Sequence, residues 1–255
     1  MKITDNTVFI PGATSGIGLE LALALQTKGN TVIVGGRRTE LLERIRAEHP
    51  GISTVQIDIA DPESIHAAAH QILTDHPTVN VLIAMAGIMR VEDWHHPESF
   101  LQSAEEIVTT NVLGPIRLIA NFIEHLQAQP EATIITVSSG LGFAPLKVTP
   151  SYNASKAAIH MLSESIRLQL ADTRVTVKEL QPPAVRTDLM PGQQESDFAM
   201  PLKDFIDEVV TLLETQPDAT EIQVERVKFL RYGEARGDYD EVVATLNASD
   251  PHARP

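Results

Sequence analysis

Six short runs rich in β-branched residues recur along the chain. They are "TVFI" at 7–10, "TVIVG" at 31–35, "STVQI" at 53–57, "VNVLIAM" at 79–85, "ATIITV" at 132–137 and "RVTVKEL" at 174–180. Several are apolar almost throughout, the pattern of strands buried on both faces. Longer stretches of helical periodicity lie between them, at 17–28, 39–48, 62–76, about 99–128 and about 152–171. Gly29 stops the first of these, and Thr39 and Asp61 are placed to cap the next two. Strands alternating with helices impose βαβ units and a parallel sheet. The expected fold is α/β: one doubly wound domain over 1–255, with a mostly parallel seven-stranded sheet flanked by helices and a last strand near 221–225. No Pro-, Gly- or Ser-rich linker or internal repeat interrupts the chain, and the tail "DPHARP" is expected to fray.

Composition bounds the function. The chain is 43% hydrophobic, enough for a sizeable core. No run approaches the ~20 apolar residues of a membrane span, and "MKITDNTVFI" lacks the apolar stretch of a secretory signal. The absence of cysteine excludes disulfides and thiolate metal sites and fits a reducing cytoplasm. A net charge of −14 argues against nucleic-acid or anionic-membrane partners. A cytoplasmic protein acting on small molecules is expected.

After the first strand, "PGATSGIGLELA" spaces Gly12, Gly16 and Gly18 as G-x-x-x-G-x-G. Glycine permits a tight turn and close backbone approach to a ligand. Gly18 opens a helix whose free N–H groups and positive end suit a pyrophosphate. An ordinary strand-to-helix turn is the alternative. In "VIVGGRRTE", Gly36 stands where NAD sites usually place an acid for the ribose 2′-hydroxyl. Arg37 and Arg38 follow, and guanidinium groups suit a 2′-phosphate. NADP (NADPH) is therefore the expected cofactor, against two solvated surface arginines. Asp58 in "QIDIAD" either bonds an adenine amino group or serves as a turn residue.

In "SYNASKAA", Tyr152 and Lys156 stand at i and i+4 and share a helix face. A cation there stabilises phenolate and lowers a pKa that otherwise sits near ~10. A phenol so tuned can exchange a proton with substrate. The alternative is a Tyr beside an unrelated surface Lys.

Seven motifs follow in order: "GATSGIG", "DIAD", "AMAG", "TTNVLG", "VSSG", "YNASK" and "PPAVRTDL". From residue 5 to about 190 the chain resembles the compact single-domain branch of the short-chain dehydrogenase/reductase family. Its double proline and tail look most like a subgroup named for an association with D-alanylation of lipoteichoic acid. The resemblance implies a Rossmann-type fold and an NADP(H)-dependent carbonyl reductase or alcohol dehydrogenase acting on an uncharged, apolar ketone or secondary alcohol. It implies that Tyr152 exchanges the proton, Ser139 bonds the same oxygen, Lys156 lowers the Tyr pKa and bonds the nicotinamide ribose, and Asn111 anchors a water. Ser138 is the alternative serine, with a spacing one residue too long. Implied cofactor contacts are Gly12, Thr14, Ser15, Gly16, Ile17, Gly18, Arg37, Arg38, Asp58, Ile59, Ala86, Gly87, Tyr152, Lys156, Pro182, Val185 and Thr187. A cofactor-binding sensor or scaffold on the same fold, and an NAD-dependent alcohol dehydrogenase, are the other readings.

The chain departs from the family pattern at Pro11 and Met85, where polar residues are usual, and at Pro183, where glycine is more common. Pro11 and Met85 are expected to lie together as a paired apolar swap. His66 and His70 have a metal-ligand spacing without an evident third ligand, so no metal is expected. His95 and His96 belong to a loop. Residues 188–201 form a long loop expected to cover the substrate with Leu189, Met190, Phe198 and Met200, joined by Met89, Phe143 and Leu146. Arg186 and Lys147 are near these in sequence. The helical stretches around 107–123 and 157–170 are apolar on more than one side, which suits either core packing or a homodimer or homotetramer.

Overall fold

The computed structural model describes residues 1–249; the segment "DPHARP" lies outside the described residues. Seven strands form one parallel sheet: β1 (Thr7–Pro11), β2 (Thr31–Gly36), β3 (Ile52–Gln56), β4 (Val81–Ala84), β5 (Ala132–Val137), β6 (Val175–Leu180) and β7 (Glu221–Ile222). Their order is β3-β2-β1-β4-β5-β6-β7. The direction of winding reverses between β1 and β4, and that reversal opens a crevice beyond the carboxyl ends of the strands.

Helices cover both faces because the strands are apolar on both. Val8 and Ile10 join a layer with Leu21 and Leu25 of α1 (Gly16–Thr27) and Phe205 and Val209 of α7 (Leu202–Thr215). Phe9 turns the other way, towards Ile65 of α3 (Pro62–Asp75) and Phe122 of α5 (Gly114–Ala128). The rings of Phe9 and Phe122 stack at 5.5 Å. Each such fully buried side chain contributes about 1.5–3 kcal/mol. No helix among the described residues is long and apolar enough to cross a membrane.

Four local expectations are corrected. Thr39 does not cap α2 (Thr39–Glu48): it is the first helical residue, Arg38 holds the cap position, and no side-chain cap bond forms. Asp61 does cap α3, accepting from Glu63 N–H at 3.0 Å. The first helix opens at Gly16, two residues before Gly18. The single long helix expected at 99–128 is α4 (Pro97–Val108) and α5 joined by a π-turn, Thr109–Leu113. Beyond residue 201 the sequence reading supplied no helices, yet α7, α8 (Lys228–Arg231), α9 (Gly233–Arg236) and α10 (Tyr239–Ser249) are present. Val242 and Leu246 of α10 pack on Ala144, Leu146 and Leu230 in a third apolar cluster.

Candidate active site

The turn after β1 is built by close approach. Gly12 has φ +81°, and a Cβ there would lie 2.6 Å from Ala86 Cα, just past the end of β4. The strand ends thus meet, and Pro11 and Met85 are the residues immediately before this contact. Beyond the turn, the first helical turn of α1 faces a crevice of about 680 Å³. Every residue expected to contact the cofactor lines this crevice: the loop Gly12, Thr14, Ser15, Gly16, Ile17 and Gly18, the arginines 37 and 38, Asp58 and Ile59, Ala86 and Gly87, Tyr152 and Lys156, and Pro182, Val185 and Thr187.

At the end of β2, a Cβ on Gly36 would sit 2.4 Å from Thr14 Cγ2, so Thr14 fills the space an acidic side chain would need. Arg38 donates to Thr14 Oγ1 at 3.2 Å. Leu41 and Arg44 of α2 also line the crevice, giving a third guanidinium there. Sequence reading missed both, although Leu41 and Arg44 follow Arg37 and Arg38 at helical spacing. Asp58 lines the crevice and also accepts from Ala60 N–H at 3.0 Å, so its two readings coexist.

At the far end, α6 (Pro150–Gln169) carries Tyr152 and Lys156 in its first two turns, both buried. Lys156 Nζ donates to Val137 O at 2.8 Å and lies 5.4 Å from the Tyr152 ring centroid. The Ser139 hydroxyl accepts from Leu141 N–H at 3.1 Å, opening a 3₁₀ turn. Ser138, the alternative serine, donates its hydroxyl to Glu179. Burial pushes the Tyr152 phenol up to about 12, and a hydrogen bond with Ser139 works in the opposite direction. The phenol is thus shifted up rather than down, because desolvation dominates. Burial itself draws Lys156 down to about 8.

Asn111 lies inside the π-turn and is 1% exposed. It does not line the crevice. Its amide accepts from Ile88 N–H at 2.9 Å, donates to Ile88 O at 2.9 Å, and donates to Ser155 Oγ at 3.1 Å. The side chain therefore holds the segment after β4 against α6. Its oxygen and Lys156 Nζ both border Gly87, at 3.4 and 3.7 Å from where a Cβ would be.

The expected apolar substrate cover is only partly assembled. Met89 and Leu189 line the crevice, whereas Met190 and Leu146 are each 2% exposed within packed regions. Phe143 lies under the Arg231 guanidinium, and Phe198 packs on the third apolar cluster. The loop 188–201 is anchored: Val185 bridges Met200, and Gln193 Nε2 donates to Val185 O at 2.6 Å. Arg186 is spent spanning this loop, to Ser196 O at 3.1 Å and Asp197 at 3.4 Å. Lys147 is exposed. Arg90, which sequence reading missed, also lines the crevice, as do Pro183 of the "PPAVRTDL" motif and Asp188 and Gln193 of the 188–201 loop. His66 and His70 are exposed on α3, and His66 bonds Asn121 at 3.1 Å. His95 pairs with Asp93 in an exposed loop.

A set of interlocking glycines at the mouth of a helix, three arginines at one end and a buried Ser–Tyr–Lys group at the other thus frame one crevice. The family described as short chain dehydrogenase matches residues 6–197. The uncharacterized oxidoreductase DltE of Bacillus subtilis (strain 168) is 38% identical over 254 residues, 98% of this chain and 100% of DltE. Among solved structures, a short chain dehydrogenase from Burkholderia cenocepacia J2315 in complex with NADP superposes with TM-score 0.81 at 27% identity, covering 96% of this chain and 99% of that one. A 3-ketoacyl-(acyl-carrier-protein) reductase from Brucella melitensis complexed with NADH, 23% identical, shares the fold with TM-score 0.77 over 89% of this chain and 100% of that one. This chain is an oxidoreductase of the short-chain dehydrogenase/reductase family, in its DltE-like subgroup.

Proposed function

We propose that the protein is an NADP(H)-dependent oxidoreductase that interconverts an uncharged ketone and its secondary alcohol. One observation carries this reading: Ser139, Tyr152 and Lys156, all buried, line one wall of the same crevice. The nicotinamide cofactor, when bound, supplies or accepts the hydride. The chain does the rest. Hydride addition to a carbonyl builds negative charge on oxygen, and preorganised donors stabilise it. Tyr152, protonated at neutral pH because its pKa is about 12, gives that oxygen a proton, and Ser139 donates a second hydrogen bond. Lys156 holds positive charge under the phenol and presents donors to the nicotinamide ribose. Asn111 fixes the backbone around Ile88 against α6.

Gly12, Gly16 and Gly18 with the α1 N-terminus hold the pyrophosphate. Arg37, Arg38 and Arg44 hold a 2′-phosphate, and Thr14 blocks the place of an NAD-selecting acid. Met89 and Leu189 flank an apolar part of the substrate. Arg90, the arginine at that wall, pairs with Glu106. The cysteine-free composition fits the cytoplasm. Exposed Leu101, Val108, Ile116 and Met161 on α4, α5 and α6 fit a homo-oligomer.

The test is turnover of a ketone panel with NADPH and NADH. Wild type should favour NADPH, Tyr152→Phe should lose about 10²–10⁴-fold in kcat, and Arg37→Ala should erode the NADPH preference. Tight NADPH binding with no turnover on any ketone or alcohol would instead make the protein a cofactor sensor. A preference for NADH would overturn the cofactor assignment.

A further inference from the structure

We propose that Glu179 is a positioning residue for the Ser139–Tyr152 pair, an inference that rests on the roles given to those two residues above. Glu179 lies on β6 with its side chain 0% exposed. Its carboxylate accepts a hydrogen bond from the Ser138 hydroxyl. His160 Nδ1 lies 2.9 Å from Oε2 and 3.2 Å from Oε1 of the same carboxylate. A carboxylate only accepts, so Nδ1 carries the proton and the ring orientation is set. Ser138 immediately precedes Ser139 at the end of β5. His160 follows Lys156 by one turn, and Tyr152 by two, along α6. One buried carboxylate thus ties the strand end bearing Ser139 to the helix bearing Tyr152 and Lys156.

Stability alone does not account for this arrangement. The β6–β7 register sets Glu179 beside Glu221, and the ligand atoms of His160, Glu179 and Glu221 lie within 4.8 Å of one another. Like charges facing across a ladder are unfavourable, and an apolar replacement of a buried ion pair is often neutral or better for the fold. Glu221 is held by Arg231 at 3.0 Å and by Gln223. The Arg231 guanidinium covers the Phe143 ring at 4.3 Å, and that ring meets His160 edge-on at 4.6 Å. Both carboxylates therefore already have protein partners, which favours a fixed ionic frame over a cation site. That frame surrounds the turn from Ser138 to Phe143 and sets where the Ser139 hydroxyl stands relative to α6.

The experiment compares Glu179→Gln, His160→Gln and the milder Ser138→Ala with wild type. With NADPH and a ketone that is turned over, kcat of the first two should fall about 10–100-fold. KM and the NADPH dissociation constant should stay within about threefold, and the double variant should be no worse than the poorer single one, as for groups acting as a unit. A second readout needs no substrate: amide hydrogen exchange over residues 152–160 should quicken about tenfold in Glu179→Gln and measurably in Ser138→Ala, with β1 and β4 unchanged. If wild type turns over no ketone, the proposed function fails and the exchange measurement alone decides this inference. Exchange and kcat both at wild-type levels would overturn it. So would an effect confined to KM, or a stoichiometric bound metal whose removal by a chelator reproduces the loss.

Discussion

Tyr152 and Lys156 share one dry wall, and the same lack of water shifts both against their charged forms. Lysine titrates near 10.5 when solvated and Lys156 near 8 when folded. Between those values the unfolded chain binds more protons, so this residue makes stability rise with pH. Tyr152 acts oppositely, but only above pH 10.0, where the unfolded phenol begins to ionise while the buried one holds its proton to about 12. From pH 8 to pH 10, cofactor-free wild type should therefore gain about 2 kcal/mol relative to Lys156→Met, read from urea unfolding at the two pH values. Equal changes in both proteins would show a hydrated ammonium. The pairing of Tyr152 with Lys156 was legible from their i, i+4 spacing. The sign of the phenol's shift was not, because it depends on the solvent excluded by β5, the 140–142 turn and α6, and no local spacing encodes that.

Among the elements, α6 begins without a cap of its own: Thr149 makes no side-chain cap bond, and no acid lies in its first turn. Glu92, from the loop after β4, supplies one, accepting from Ser151 N–H at 3.1 Å. It also accepts from Trp94 Nε1 at 3.0 Å and Ser103 Oγ at 2.9 Å, and is 6% exposed. Removing this carboxylate takes the partner from three donors, one of them in the first turn of the helix that carries Tyr152. Glu92→Ala should cost about 2–3 kcal/mol in denaturant unfolding and lower kcat more than it raises KM. A loss under about 0.5 kcal/mol would mean that water replaces the carboxylate. Glu92 escaped sequence reading because its partner lies 59 residues away. The π-turn at 109–113 escaped for a related reason: apolar periodicity runs on through "IVTTNVLGPI", and only the packing of Asn111 on Ile88 marks the offset.

At the scale of the whole molecule, the segment after 201 packs on the stretch between Ser139 and Tyr152. Asn247 of α10 accepts from Lys147 N–H at 2.7 Å and donates to Pro145 O at 3.0 Å, pinning the stretch between Ser139 and Tyr152. Leu246 beneath it is 2% exposed. Leu246→Ala should cost about 2–4 kcal/mol and weaken turnover through the 145–148 stretch, leaving NADPH affinity unchanged, because the glycine loop lies across the sheet; paired unfolding and cofactor titrations check this. The seven parallel strands, the glycine turn and the order of the site residues were determined by the sequence itself. Two-sided apolar runs allow only a buried parallel sheet, and a positive-φ turn against another strand, as at Gly12, admits little but glycine. The tertiary structure decided the rest: which serine lies free of Glu179, which of the expected apolar residues reach the crevice, how burial shifts the Tyr152 phenol, and how Glu92, Glu179 and Asn247 hold the segments that bear Ser139 and Tyr152. Those outcomes arise from contacts between residues far apart in the chain, where desolvation and hydrogen-bond geometry exist only once the strands and helices have packed.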